Sequence, residues 1–329
     1  MKSRGFTIAE LMISLAIFSL VATGTSWLVL SASRAQTGSA QINGAQNAVR
    51  AAMTRLRRDI QAVSAGVSSG MLLDWRTTVG TTTVLPIAVN NRSDGPDEIT
   101  LLAVEDGLRG MVSAPFFAST DSLFYIKDSQ GISAGVSDVI LVSDLTTGVL
   151  LQLSGNVPGA STADSAIRVN TLPPTNPLGL SNQIKEGSYV FHTRWVTYSI
   201  DSSTGTPLLM LDPDGPGPQP PTPIAEGVED MQFELGFDLN GNGIIEKNGA
   251  AANDDEWVYN VAGETPPATL AALRQVSVVL IARTLVEDSA MVAHGEVPRF
   301  GGDRAPSSTT DHYLRRAVGG LVTIRSFNL

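Results

Sequence analysis

From Leu11 to Ser33 the chain carries no charged residue. That run is longer than the ~18–20 apolar residues a helix needs to span a bilayer. A helix that is apolar all round cannot lie on a water-covered surface; it needs lipid or other apolar helices about it. Lys2 and Arg4 precede the run, which predicts an N-terminus in the cytoplasm and the rest of the chain across the membrane. A secretory signal peptide fits less well, because the run exceeds the usual apolar core of such a peptide and no clear A-x-A site follows. One acid, Glu10, stands at the edge of the run. A carboxylate there is costly unless it is neutralised or paired.

The helical pattern continues past the apolar run. Val49, Met53, Leu56, Ile60 and Val63 recur at spacings of three and four, a single helical stripe. Arg50, Arg55, Arg57, Arg58 and Asp59 fall largely off that stripe. Gly38 and Gly44 weaken the stretch without having to break it. A continuous helix from Phe6 to about Val63 would be roughly 85 Å long at ~1.5 Å per residue. Its second half is amphipathic and requires a soluble domain to cover it.

Gly5-Phe6-Thr7-Ile8-Ala9-Glu10-Leu11-Met12-Ile13 resembles the prepilin motif shared by type IV pilins and type II secretion pseudopilins. The resemblance implies cleavage between Gly5 and Phe6 by a prepilin peptidase, N-methylation of Phe6, and a role in assembly for Glu10. After cleavage, the natural partner of Glu10 is the new α-amino group on Phe6 of a neighbouring subunit. The small residues Ala16, Ala22, Gly24 and Ser26 would permit close helix approach in a fibre.

Beyond Val63 the pattern changes to short strand-like runs punctuated by Gly, Asn, Asp and Pro. Thr82–Val89, Glu98–Val104, Ser122–Lys127, Val139–Ser143, Gly148–Leu153, Ser188–Ile200 and Pro207–Leu211 read as strands, with no long helical pattern between them. The expected fold class is therefore α+β: a long N-terminal membrane-spanning and then amphipathic helix, followed by a mostly antiparallel β domain. The expected divisions are a leader over 1–5, an assembly helix over 6–33, its amphipathic continuation over 34–63, a β-rich region over 64–211, a proline-rich loop over 212–223 and a C-terminal β region over 224–329. The proline-rich stretch is expected to let no sheet ladder pass.

Ile224–Phe233, Leu273–Arg283 and the closing Arg315-Arg316 and Thr323-Ile324-Arg325 resemble the PilW family of minor pilins. That resemblance implies a minor subunit near the tip or in the priming complex of a type IV pilus, supporting its assembly. Its implied partners are prepilin peptidase, other major and minor pilins, the inner-membrane assembly machinery and membrane lipid. The implied location is the inner membrane, single-pass with a periplasmic C-terminal domain, and then the fibre. The alternatives are a minor pseudopilin of a type II secretion system and a membrane-anchored adhesin that never polymerises.

Asp238-Leu-Asn-Gly-Asn-Gly-Ile-Ile-Glu246 places side-chain oxygens of Asp238, Asn240 and Asn242 at alternate positions. Gly243 permits the sharp turn that brings the Ile244 carbonyl toward the same point. These hard oxygen donors suit Ca²⁺. Glu246, or Asp254, Asp255 or Glu256 returning from the loop, would close the site. The EF-hand pattern is incomplete, since its twelfth position is Gly249, and an Asn-Gly turn between strands is the simpler structural reading.

The chain contains no cysteine and has a net charge of −10. A disulfide framework and thiolate chemistry are excluded, and an acidic body repels nucleic acid. His192, His294 and His312 form no metalloprotease or triad pattern, and no phosphate-binding glycine loop is present. No catalytic residue is assigned, and His192 reads as a structural histidine in an apolar strand. Arg315 and Arg316 read as a salt-bridged edge strand, and Trp27 as a residue near the outer membrane interface.

Overall fold

The computed structural model describes residues 7–63, 73–77, 80–104, 109–113, 123–130, 138–144, 148–153, 165–168, 186–215, 219–246, 256–261, 263–267, 270–287, 303 and 311–324. Helix α1, Ile8–Ala62, is unbroken over 55 residues, roughly 80 Å at ~1.5 Å per residue. Gly38 and Gly44 lie within it. It starts at Thr7, whose extended backbone and side-chain oxygen form an N-cap, with Glu10 completing a capping box.

The first half of α1 is apolar and uncovered; Ile8, Leu15, Phe18, Leu20 and Trp27 are all exposed. Among the described residues it is the one helix long and apolar enough to cross a membrane. Its hydroxyls are compatible with that environment. Ser14 donates to the Leu11 carbonyl at 2.9 Å, Ser19 to Ala16 at 2.8 Å and Thr23 to Ser19 at 2.8 Å. Each is thereby satisfied inside the helix, as hydrocarbon requires. The second half buries Val49, Met53, Leu56, Ile60 and Val63, the stripe the spacing predicts, and Ala52 beside it.

Twelve strands form one sheet and four form another. The first contains β1 (Leu73–Thr77), β2 (Gly80–Val84), β3 (Ile87–Asn90), β4 (Glu98–Val104), β5 (Arg109–Ser113) and β6 (Leu123–Gln130). It continues with β7 (Val139–Ser143), β8 (Gly148–Gln152), β9 (Ser165–Arg168), β10 (Tyr189–Asp201), β11 (Leu208–Asp212) and β12 (Thr222–Glu226). The second holds β13 (Val228–Phe237), β14 (Trp257–Val258), β15 (Leu273–Arg283) and β16 (Arg315–Thr323) in the order β14-β13-β15-β16. Pairing is antiparallel throughout the described strands except between β1 and β8. The α+β class is as expected.

β10 is the spine. Its first half pairs β7 and β5, and its second half pairs β4 and β11. Helix α1 touches β4, β12, β13, β15 and β16, so one helix stripe joins both sheets in one apolar cluster with Leu101, Val196, Tyr198, Phe233 and Val278.

The proline-rich stretch departs from expectation. Thr222 and Pro223 pair with Leu211 and Met210 in the β11–β12 ladder, at a register irregularity. Proline is tolerated because β12 pairs β11 alone and lies at an edge. Gly227, at φ +80°, separates β12 from β13; a Cβ there would lie 2.8 Å from the Arg283 carbonyl. The same economy appears at Gly215, φ +60°, where a Cβ would strike the Trp195 ring.

Candidate functional site

The N-terminal site is built by the start of α1. The Thr7 backbone N–H and hydroxyl both donate to Glu10 Oε2, at 3.0 and 2.8 Å. The Glu10 N–H donates to the Thr7 hydroxyl at 3.3 Å. One carboxylate oxygen thus satisfies the helix start, and the acid sits where the helix dipole favours negative charge. Gly5 and Phe6 lie outside the described residues. Glu10 itself is exposed at the end of an uncovered apolar helix.

A second acid on the same helix has the opposite surroundings. Asp59 is 1% exposed, although its place off the apolar stripe suggests a solvent face. Arg194 Nη2 donates to its Oδ1, and the Tyr198 hydroxyl donates to its Oδ2 at 2.5 Å. Arg194, Val196 and Tyr198 alternate along β10 and so share the face turned to α1. Burial first, and then the Asp59 carboxylate, push the Tyr198 hydroxyl pKa well above the ordinary tyrosine range. The clamp fixes α1 to the spine of the large sheet.

The oxygen-rich loop leaves β13 at Phe237. Gly241 and Gly243 adopt φ +75° and +81°, the positions that make the turns. Asp238 Oδ2 accepts from the Gly243 N–H at 3.2 Å, Asn240 Oδ1 from Asn242 N–H at 2.9 Å, and Asn242 Oδ1 from Ile244 N–H at 2.7 Å. Asn242 Nδ2 donates to Glu246 Oε1 at 3.3 Å. The structure therefore gathers Asp238, Asn240, Asn242, Ile244 and Glu246 into one loop. Asp254 and Asp255 lie outside the described residues.

Glu256 closes the loop. Its Oε1 accepts from the Leu239 and Asn240 N–H groups at 2.9 and 3.2 Å, and its Oε2 from the Glu246 N–H at 3.0 Å. It is buried and is engaged by backbone. The sequence offers Glu256 as one of the acids returning to the loop, and the structure gives it the duty of holding the loop's backbone N–H groups. Asp238 is also buried, and its Oδ1 has no hydrogen-bond partner. Arg274 Nε approaches the other oxygen at 3.8 Å. Among the described residues no three Asp, Glu or His side chains are grouped as a metal site. An ion here would thus depend on amide and backbone carbonyl oxygens as well as on Asp238. The orphan Asp238 Oδ1 and the hard-oxygen composition fit such an ion.

A further polar cluster lies where the chain enters β4. Asp97, Asp230 and Asp303 are all buried. Asp97 Oδ1 and Oδ2 accept from the Arg92 and Phe233 N–H groups, both at 2.9 Å. Burial, opposed by those two bonds and reinforced by Asp303 and Asp230, raises the Asp97 pKa to about 7. Nothing in the sequence singles these three acids out, since they come from separate segments.

Of the other candidates, His192 is half-buried on β10, 3.5 Å from Asp138. His312 is half-buried beside β16 and His294 lies outside the described residues. Arg315 sits between Glu229 and Asp311, with nitrogen–oxygen distances of 2.5 and 2.6 Å, on the edge strand β16. Asp311 is held below the usual carboxylate range, chiefly by its bond to Arg315. Arg316 is exposed.

Comparison with known families agrees with this arrangement. Residues 1–26 match the family model described as the prokaryotic N-terminal methylation motif, and residues 197–326 match that of type IV pilus-assembly protein W. No curated protein and no solved structure matches the chain. A methylation motif heading a long apolar helix, with an antiparallel β body behind it, makes this a type IV prepilin-like protein. The match that starts within β10 and ends just past β16 narrows the class: the chain is a PilW-like minor pilin of type IV pilus assembly. As a pilin it is membrane-anchored and works with other pilins and the pilus assembly system. Both matched families are structural components of pili.

Proposed function

We propose that prepilin peptidase cuts this chain between Gly5 and Phe6 and that Phe6 is then N-methylated. Before assembly the helix lies in the inner membrane, with the N-terminus cytoplasmic and the β body periplasmic. The subunit then enters the fibre, where the apolar half of α1 packs among equivalent helices of major and minor pilins. Its action is assembly and not catalysis. The observation that carries this reading is the contrast within one unbroken helix: Ile8–Leu30 is uncovered while Val49–Val63 is locked into the body. Glu10 Oε2 takes both Thr7 donors, and the second oxygen is available for an amine on a neighbouring subunit. Mass spectrometry of the protein from sheared fibres should find N-methyl-Phe6 at its start. Recovery only from membranes, with Met1 retained, would refute the proposal. Purified type II secretion pseudopili carrying the chain would favour the pseudopilin alternative.

We further infer that the loop from Asp238 to Glu246 holds Ca²⁺, because Asp238 Oδ1 is buried without a partner. Asp238, Asn240, Asn242 and the Ile244 carbonyl are the donors, with Glu246, and Asp254 or Asp255, closing the site. The full chain, stripped with EGTA, should melt at a higher temperature when Ca²⁺ is restored. Asp238→Ala should lose one bound ion per chain in equilibrium dialysis. Equal stoichiometry in the two proteins would contradict the assignment.

A further inference from the structure

β13 buries both of its faces. Met231, Phe233 and Leu235 enter the apolar core, whereas Asp230 and Gln232 alternate with them and point the other way. That polar face would ordinarily meet solvent, yet Asp230 and Gln232 are each 2% exposed. The segment leading into β4 is bonded to it. The Asp97 N–H donates to the Met231 carbonyl at 2.8 Å, and Gln232 Nε2 donates to the Gly95 carbonyl at 3.1 Å. Asp303 is also buried there, close enough for its charge to act on Asp97.

Three oxygens in this cluster are buried without a hydrogen-bond partner: Asn91 Oδ1, Gln232 Oε1 and Asp303 Oδ1. The amide orientations are not interchangeable. Gln232 Nε2 faces two acceptors, the Gly95 carbonyl and Asp230 Oδ1, both at 3.1 Å. Asn91 Nδ2 faces Asp303 Oδ2 at 2.8 Å. Turning either amide over would set oxygen against oxygen. The orphans are therefore acceptors, and each is a kind of oxygen that hard cations bind. The nearby cation Arg92 is turned outward to Asp94, at 3.6 Å, with both side chains largely exposed.

We propose that Asn91, Gln232 and Asp303, with the carboxylates of Asp97 and Asp230 around them, form a buried divalent-cation site of Ca²⁺ type. The ion would take the three orphan oxygens and offset the negative charge of the three aspartates. Neutral amide and carboxylate oxygens suit Ca²⁺, which accepts irregular shells, better than Mg²⁺, which demands a near-ideal octahedron. The three carboxylates need not all coordinate; two amide oxygens complete the donor set, consistent with the absence of a three-acid group among the described residues. The site ties the turn before β4 to β13 and so couples the two sheets. It is independent of the loop at Asp238 to Glu246, from which it shares no residue.

The test uses the full chain in detergent with Asp238→Ala already in place, so that the loop cannot contribute. Equilibrium dialysis with Ca²⁺ should find one ion still bound per chain, and Ca²⁺ should raise the melting temperature. Adding Asp303→Asn should weaken that binding about tenfold or more. If the double variant fails the circular-dichroism check for folding, Asn91→Leu replaces Asp303→Asn and carries the same expectation. No Ca²⁺ bound by Asp238→Ala at millimolar concentration would overturn the proposal, as would affinity unchanged by either second substitution.

Discussion

Helix α1 carries two acids with opposite fates. Glu10 is exposed at the start of the uncovered half and is held by its own N-cap, Thr7. Asp59 is buried near the end of the covered half and is held by Arg194 and Tyr198 from β10. The first has local partners only, so it is free to exchange them when a neighbour arrives. The second has partners far away in sequence, so it fixes the helix to one body. A single helix is thereby divided into a part left open for other chains and a part committed to its own.

That division can be broken first at Asp59. Asp59→Ala leaves the Arg194 guanidinium and Tyr198 hydroxyl without their acceptor and should cost about 3–5 kcal/mol in urea unfolding. A cost under about 1 kcal/mol would mean that the clamp contributes packing alone. Leu56→Ala, on the stripe, should cost about 2–5 kcal/mol. Leu15→Ala, in the uncovered half, should leave the unfolding of the β body unchanged. Equal effects from the two leucines would erase the contrast between the halves.

Asp97 sharpens the comparison, because it is a buried acid stabilised by backbone N–H groups instead of an arginine. Its folded pKa of about 7 exceeds the ordinary aspartate value of 3.8. Between those values the folded chain keeps a proton that the unfolded chain has released. Stability from this group is therefore full below pH about 4 and falls as pH rises through about 7, by a few kcal/mol at ~1.4 per unit. Unfolding in EGTA across that range measures it, and Asp97→Asn should flatten the slope. A stability that rises with pH and is unaffected by Asp97→Asn would contradict the assignment. The smallest effect on folding is expected at the helix start, where Thr7→Ala removes the cap and should cost helix stability about 0.5–2 kcal/mol without shifting the melting of the body.

The legible parts of the sequence are those that rest on local pattern. Glu98–Val104 and Val139–Ser143 coincide with β4 and β7, because runs of β-branched and apolar residues between turn signals report a strand directly. The stripe of α1 and the oxygen-rich loop are legible for the same reason. β5, with Arg109 and Gly110, and β9, of four residues, carry little propensity and exist through their neighbours in the sheet. β12 contains Pro223 and is permitted by its edge position. Asp59 with Arg194, and Asp97 with Asp230 and Asp303, are assembled across long separations. No spacing rule reaches them.

The central claim is that the open half of α1 serves assembly, through Glu10. The direct measurement is the amount of Glu10→Val protein in sheared fibres relative to membranes, beside wild type. The account predicts a protein that is still membrane-inserted, with a body that melts as wild type does, but largely missing from the fibre. Normal incorporation of Glu10→Val would contradict it.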